Sequence, residues 1–549
     1  MIGVNFFHDS SSAQGAKAPG CFRPYEQYPI EHLAFEEAQL WWEGRCSLST
    51  HQRHEYLRQI AAAATRADWL ACQPFIAQLQ EAGGEFACWL LAGEHLLFFN
   101  DWLGRLPVYR YQHQQQLFIG RSLHVLFQQV PKCPDRLGLA QYLWAGYSIG
   151  QRTIFQHVAP VAPGSTLLWH LPSGSLVQQQ SAVLQMDQYD GRPKEAHAAR
   201  LHELFLASCR RLQTTGPNNW HLSLSGGQDS KAVLAGMQQA GARLQSSSFL
   251  LSGAERDVQL ASALAVRAAV PWEAFTIGSN CQEDVQWLIA LKQGLNYSGM
   301  AFIKCYLEQV AAAHAGATLL TGDGGDVILP YFGEASTPRS ADDLVRTLLR
   351  RHAIASPTMA AAVAGIGADE LAQSIYDLIA TYPEADRNDQ SVHFAFCERI
   401  GKAYFEGEDR NRYFIWCTTP FYDPALVKAA MAVPQVFKRN YSLYYQWLRL
   451  VCPDWAHLPD AGGGRPGGWY FHGRKWVREN FRSTAPFVKS SLRLMNKWLQ
   501  PSAGAATKAM LPVPPGLQTA CDETAWRALA SRGGQETHLY LQTLSNVFS

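Results

Sequence analysis

The stretch "HLSLSGGQDSKAVLAGM", residues 221–237, changes its periodicity in the middle. An alternating apolar run ends at Ser225, and an amphipathic stretch with helical spacing follows from Ser230. Between them, Ser225, Gly226, Gly227, Gln228, Asp229 and Ser230 make a strand-to-helix turn. In an open α/β sheet, ligands bind outside the carboxyl ends of the strands, where such turns lie. Glycines let a ligand approach the backbone, and N–H groups at a helix N-terminus favour phosphate oxygens. The Walker pattern needs a Lys after its second Gly, and GxGxxG needs a third Gly; neither is here. Without a ligand, the same residues form a tight turn with Ser230 as helix N-cap.

Working outward, a second turn of this kind occurs at "ATLLTGDGGDVILPYFG", 317–333, where an apolar run ends in Gly322, Asp323, Gly324, Gly325 and Asp326. Two strand-end turns that each carry an Asp point to an ATP site, with Mg2+ held between carboxylates and phosphates. Short apolar runs at 221–225, 246–251 and 317–321 alternate with helical stretches such as "DVQLASALAVRAAV", 257–270. That alternation predicts a mostly parallel sheet with helices on both faces. Residues 340–450 read as almost wholly helical, and "GGGRPGG", 462–468, reads as a flexible loop.

Upstream the pattern is different. "EFACWLLAGEHLLFFND", 85–101, reads as two strands about Gly93, and "LPVYRYQHQQQLFIG", 106–120, as a hairpin. A helix is expected near 136–146 and another hairpin about Pro172 and Gly174. Residues 181–196 are polar and turn-rich, and suit a linker. At 549 residues, two domains are expected, at 1–185 and 197–549.

Lys and Arg number 47 against 46 Asp and Glu, for a net charge of +1. That balance argues against a chain-wide platform for nucleic acid or membrane. There is no basic-then-apolar start of a secretory signal and no 18-residue apolar span. The 12 Cys have no CxxC pairing and read as free thiols, so a cytoplasmic setting is expected. "QLWWEGR", 39–45, fits either a partner or leader-peptide surface, or packing inside the first domain.

These residues resemble a known family. "SGGQDS" is similar to the SGGxDS pyrophosphate loop of the asparagine synthetase group of ATP-pyrophosphatases, and "GDGGDV" to that group's GxGxDE motif. "TTPFYDPALVKAAMAVPQVFK", 418–438, resembles its PF-x-D segment. "NDWLGRLPVYRY", 100–111, and "TIFQHVAPVAPGSTLLW", 153–169, resemble segments of its glutaminase domain. The resemblance implies an Ntn-hydrolase-like β-sandwich, then a doubly wound parallel-sheet PP-loop domain with a large helical C-terminal part. Working glutaminases of the group begin Met-Cys-Gly, whereas this chain begins Met1-Ile2-Gly3, so the nucleophile is missing. Val327 stands where asparagine synthetases commonly have Glu.

Members without that Cys include lasso peptide cyclases and β-lactam and carbapenam synthetases, which adenylate a carboxylate and let an amine of the same molecule attack it. The resemblance therefore implies an ATP-dependent, AMP-forming amide synthetase. The leading expectation is macrolactam formation on a precursor peptide, with a leader protease or leader-binding protein as partner. β-Lactam-type ring closure, a glutamine-independent amide ligase, a tRNA-modifying pyrophosphatase and a retired synthetase acting as a scaffold remain open. ATP would contact Ser225, Gly226, Gly227, Asp229, Ser230, Phe249, Leu250, Gly324 and Gly325, while Asp229 and Asp326 hold Mg2+. Asp323 would be the base or orienting group, if burial raises its pKa. Arg465 or Lys475 would take the place of the family's catalytic Lys.

Overall fold

A computed structural model describes residues 1–549 apart from 10–17, 115, 181–183, 252, 254, 279–280, 331–336 and 461–510. Arg465, Lys475 and the 462–468 loop therefore lie outside the described residues.

Eleven strands open the chain: β1 Gly3–Asp9, β2 Gly20–Phe22, β3 Ile30–Ala34, β4 Ala38–Cys46, β5 Gly84–Ala92, β6 His95–Asn100, β7 Tyr109–His113, β8 Gln116–Gly120, β9 Val158–Pro160, β10 Ser165–His170 and β11 Ser175–Gln180. They form two antiparallel sheets, ordered β2-β1-β8-β7-β9 and β11-β10-β6-β5-β4-β3. β5 is buried on both faces, and its alternation divides it between two cores. Ala87 and Trp89 pack into the layer between the sheets, with Phe98 and Ile119. Phe86, Cys88 and Leu90 face a helix pair, Thr50–Thr65 and Trp69–Ala82, through Leu57, Ile60, Ile76 and Leu79. Ser49 and Gln52 form a capping box at the first helix, and Asp68 caps the second by accepting from Ala71 N. Trp41 and Trp42 are buried in β4, so "QLWWEGR" is packing and not a partner surface.

The outer face of the other sheet, through Tyr109, Tyr111 and Phe118, packs on a helical layer. That layer joins Arg136–Ala145 to helices from the far end of the chain, including Gln535–Val547. The result is a helix, sheet, sheet, helix stack whose last layer is shared by the N- and C-terminal parts.

Five parallel strands follow: β12 Trp220–Ser223, β13 Leu244–Leu250, β14 Trp272–Thr276, β15 Thr318–Leu320 and β16 Cys417–Thr418. Their order is β14-β13-β12-β15-β16. Both faces are covered, by Leu222, Leu224 and Leu320 with Val233 on one side, and by Leu319 and Cys417 with Ile303 and Val310 on the other. The strand order reverses at β12, which has β13 on one flank and β15 on the other. The two Asp-bearing turns follow β12 and β15, so the reversal sets them side by side. β16, of two residues, lies in the stretch expected to be wholly helical; it is too short to show periodicity. No helix among the described residues is long and apolar enough to cross a membrane.

Candidate active site

The first turn is tied to itself. Ser230 sits inside the helix Gln228–Gln239, whose N-cap is Gly227 with no side-chain cap. Ser230 is therefore not the N-cap that the sequence allows. Its Oγ reaches back instead: Ser225 N donates to it at 3.1 Å, and it lies 3.0 Å from Ser225 Oγ and 3.2 Å from Ser225 O. Gly227 N donates to Ser225 Oγ at 3.2 Å. Gly226 N donates to Asp257 Oδ1 at 2.9 Å. Its N–H is thus engaged by a carboxylate from the helix after β13.

The second turn packs directly on the first. A Cβ on Gly322 would stand 2.7 Å from Ser230 N, and one on Gly325 would collide with Asp229 Oδ1. Gly324 adopts φ +102°, and a Cβ there would meet Phe421 and Tyr422 of the 418–438 segment. These glycines are required by close approach and by the left-handed backbone. Gly324 and Gly325 shape the junction of the two turns; neither lines the cavity they border.

That cavity, of about 980 Å3, is lined by Ser225, Gly227, Asp229, Ser230, Asp323 and Asp326 at one end. Phe249 from the end of β13 also lines it and packs edge-on to Tyr306 at 5.4 Å; Leu250 does not line it. The other walls come from Asn296, Tyr297 and Met300, from Arg399, Tyr404, Glu408 and Arg410, and from Arg351 and Tyr540.

Asp323 opens its carboxylate onto this cavity, with protein enclosing the rest. Burial, reinforced by Glu408 and Asp326, pushes its pKa up to about 6, against Thr321 and Arg410. Arg410 is buried and hydrogen-bonded to Asn296 Oδ1 at 3.3 Å and Asn411 Oδ1 at 2.9 Å. Burial works against its charge, while Cys417 and Asp323 favour it. Asp229 Oδ1 accepts from the Tyr444 hydroxyl at 2.6 Å, and Tyr444 lies within electrostatic reach of both Asp229 and Asp326.

Mg2+ takes oxygen ligands and keeps substrate phosphates among them. Two carboxylates, Asp229 and Asp326, at the junction of the turns fit that chemistry. Among the described residues there is no group of three or more His, Cys, Asp and Glu side chains placed to cage a metal by themselves.

Sequence reasoning missed Asp257, Tyr444, Glu408 and Arg410. In "EGEDRNR", 406–412, the residues Glu406, Glu408, Asp409, Arg410 and Arg412 are all buried. Asp257 carried a faint signal, as one of two acids in the first turn of its helix.

No protein-family model matches the chain. No curated protein matches it. Among solved structures, a glutamine phosphoribosylpyrophosphate amidotransferase from B. subtilis, complexed with ADP and GMP, aligns at 12% identity over 60% of this chain and 62% of that one, with a TM-score of 0.19. A structure described as the allosteric regulatory enzyme of purine biosynthesis aligns at 11% identity over 60% of each chain, again with a TM-score of 0.19. The chain thus spans about 60% of the length of the structures it matches. Superposition this weak carries no inference about fold or chemistry.

Proposed function

We propose that the chain is an ATP-dependent, AMP-forming amide synthetase in which a substrate's own amine closes onto its activated carboxylate. The supporting observation is the meeting of two Asp-bearing strand-end turns at one end of a cavity of about 980 Å3, a volume that accommodates a nucleotide and a second group. Residues 1–185 are taken as a glutaminase-like domain and 197–549 as the synthetase domain.

Ser225, Gly227, Ser230 and the N-terminus of Gln228–Gln239 would receive the pyrophosphate. Asp229 and Asp326 would hold Mg2+, which neutralises phosphate charge as the carboxylate attacks. Asp323, with its raised pKa, would take the proton of the attacking amine. Arg410, a cation of the cavity wall among the described residues, would steady developing negative charge beside it. Ile2, buried in the core between the two sheets, offers no nucleophile for releasing ammonia from glutamine, so the amine belongs to the substrate. The aromatic wall of Tyr297, Tyr404 and Tyr540 suits peptide side chains, which favours macrolactam closure of a precursor peptide.

ATP–pyrophosphate exchange tests the proposal. Exchange by the intact chain in the presence of carboxylate peptides, with a loss of ~100-fold or more in Asp229→Ala, is the expected result. Ring closure would then appear as the mass loss of one water from the peptide. Exchange that survives Asp229→Ala removes the metal assignment, and glutamate release from glutamine overturns the amine assignment.

A further inference from the structure

The helical run from Arg387 to Asn411 separates two cavities. Arg399, Ala403 and Tyr404 face the ATP-type cavity, while Phe396, Cys397 and Phe405 face a second one of about 480 Å3. Its middle, Ala395–Tyr404, is wound as a π-helix. π-Helical turns recur at functional sites. The second cavity is closed from the opposite side by Trp102, Val108 and Tyr109 of the N-terminal sheets.

On this second face, His393 Nδ1 lies 2.9 Å from Glu384 Oε1, and Cys397 stands one helical turn further on, within electrostatic reach of the imidazole. The Glu384 carboxylate is itself held by Met186 N at 2.8 Å, and the Tyr382 ring stacks on the imidazole at 4.0 Å. His393 and Cys397 both line the cavity. Two further lining groups, Trp102 Nε1 and the Tyr382 hydroxyl, are buried without a hydrogen-bond partner among the described residues. A thiol one helical turn from an imidazole, the imidazole oriented by a carboxylate, and idle N–H and O–H donors in one pocket make up the parts list of a nucleophilic acyl-transfer site.

We propose that Cys397, His393 and Glu384 form a second catalytic centre, distinct from the ATP-type cavity, that hydrolyses small apolar carboxylic esters or thioesters through a Cys397 acyl-enzyme. The Cys397 sulfur attacks the carbonyl carbon as its thiol proton passes to His393, and the carbon–sulfur bond forms as the bond to the leaving oxygen or sulfur breaks. The His393 imidazolium gives its proton to that leaving group. The neutral imidazole then takes a proton from a water, whose oxygen cleaves the thioester and releases the acid, and His393 returns the proton to the Cys397 sulfur. Glu384 is a positioning residue, and Trp102 or Tyr382 supplies a donor to the oxyanion. Glu398 and Tyr147 stand within electrostatic reach of Tyr382, and Lys402, paired with Glu398 at 3.2 Å, within reach of Cys397.

The test uses the full chain and p-nitrophenyl butyrate. The expected result is turnover with an acyl adduct mapped by peptide mass to Cys397, in preference to the exposed Cys21, Cys133 and Cys281. Cys397→Ser, with its fold checked by thermal melting, should lower turnover by ~100-fold or more. Glu384→Gln should retain acylation but move its pH profile, a change that a merely structural role would not produce. Adducts distributed by exposure across Cys21, Cys133 and Cys281, or turnover unchanged in Cys397→Ser, would overturn the proposal.

Discussion

Asp323 carries a charge that its surroundings disfavour. Its carboxyl pKa is raised by burial and by Glu408 and Asp326 to about 6, above the usual carboxylate range. If Asp323 accepts the amine's proton, kcat/KM should rise with pH through a limb near 6, because the protonated acid cannot act as base. Stability runs the other way. The folded state prefers the neutral form, so the penalty is absent below the unfolded pKa and fully present above pH 6. Asp323→Asn should therefore remove the catalytic limb and raise Tm at about pH 7.5, with little change in Tm at about pH 3.5. A melting scan at the two pH values checks it, and a variant less stable at the higher pH would count against the raised pKa. Neighbouring Gly325 has a steric role. Gly325→Ala should cost exchange activity and some stability, since its Cβ meets the Asp229 carboxylate and also the core ring of Phe421; exchange assays beside a melting curve measure both.

At the scale of elements, strands long enough to show alternation were legible, and those built from a few residues were not. β5, β6, β10 and β13 fall where the apolar runs place them, because burial on one or both faces imposes a pattern that the side chains record. β16 has two residues and no pattern, yet it forms the edge of the parallel sheet beside β15. The two Asp-bearing turns were legible from glycine and Asp content, but their mutual contact comes from strand order, which local sequence does not encode. The short helix Gly325–Ile328 is anchored by an interaction far away in the chain: the buried Lys438 Nζ donates to Ile328 O at 3.2 Å. Burial pulls the Lys438 pKa down to about 7, although Asp389 favours its charge. Its unfolded value is ~10.4, so the destabilisation is complete below pH ~7 and fades toward pH ~10. Lys438→Met should raise Tm at about pH 6 by more than at about pH 9.5, and differential melting at the two pH values measures it.

Across the whole molecule, the halves are joined by buried charge as well as by apolar packing. Arg105, between β6 and β7, binds Glu85 of β5 at 2.8 Å and Glu408 at 2.9 Å, while Arg412 shares Glu408 at 2.9 Å. Arg121 bridges Glu43 and Asp409, and Lys292 contacts Asp409 at 2.6 Å and Glu406 at 2.5 Å. Arg105 and Glu408 are 303 residues apart in the chain, so no window of sequence could pair them. Of 406–412 the sequence says only that it lies in an almost wholly helical stretch. Glu408 also lines the ATP-type cavity and raises the Asp323 pKa, so the network that holds the halves together sets the protonation of the candidate base. Removing one member of a buried charge network leaves its partners without compensation, at a cost of ~3–5 kcal/mol. Arg105→Met should lower the unfolding free energy read from a urea titration by that amount. Adding Glu85→Gln should recover a substantial part, because it removes the carboxylate that the first change left unbalanced. Urea titrations of the single and double variants decide it: a double variant no more stable than Arg105→Met would mean that Arg105 acts through packing against the Tyr422 ring, 5.1 Å away, and not through its charge.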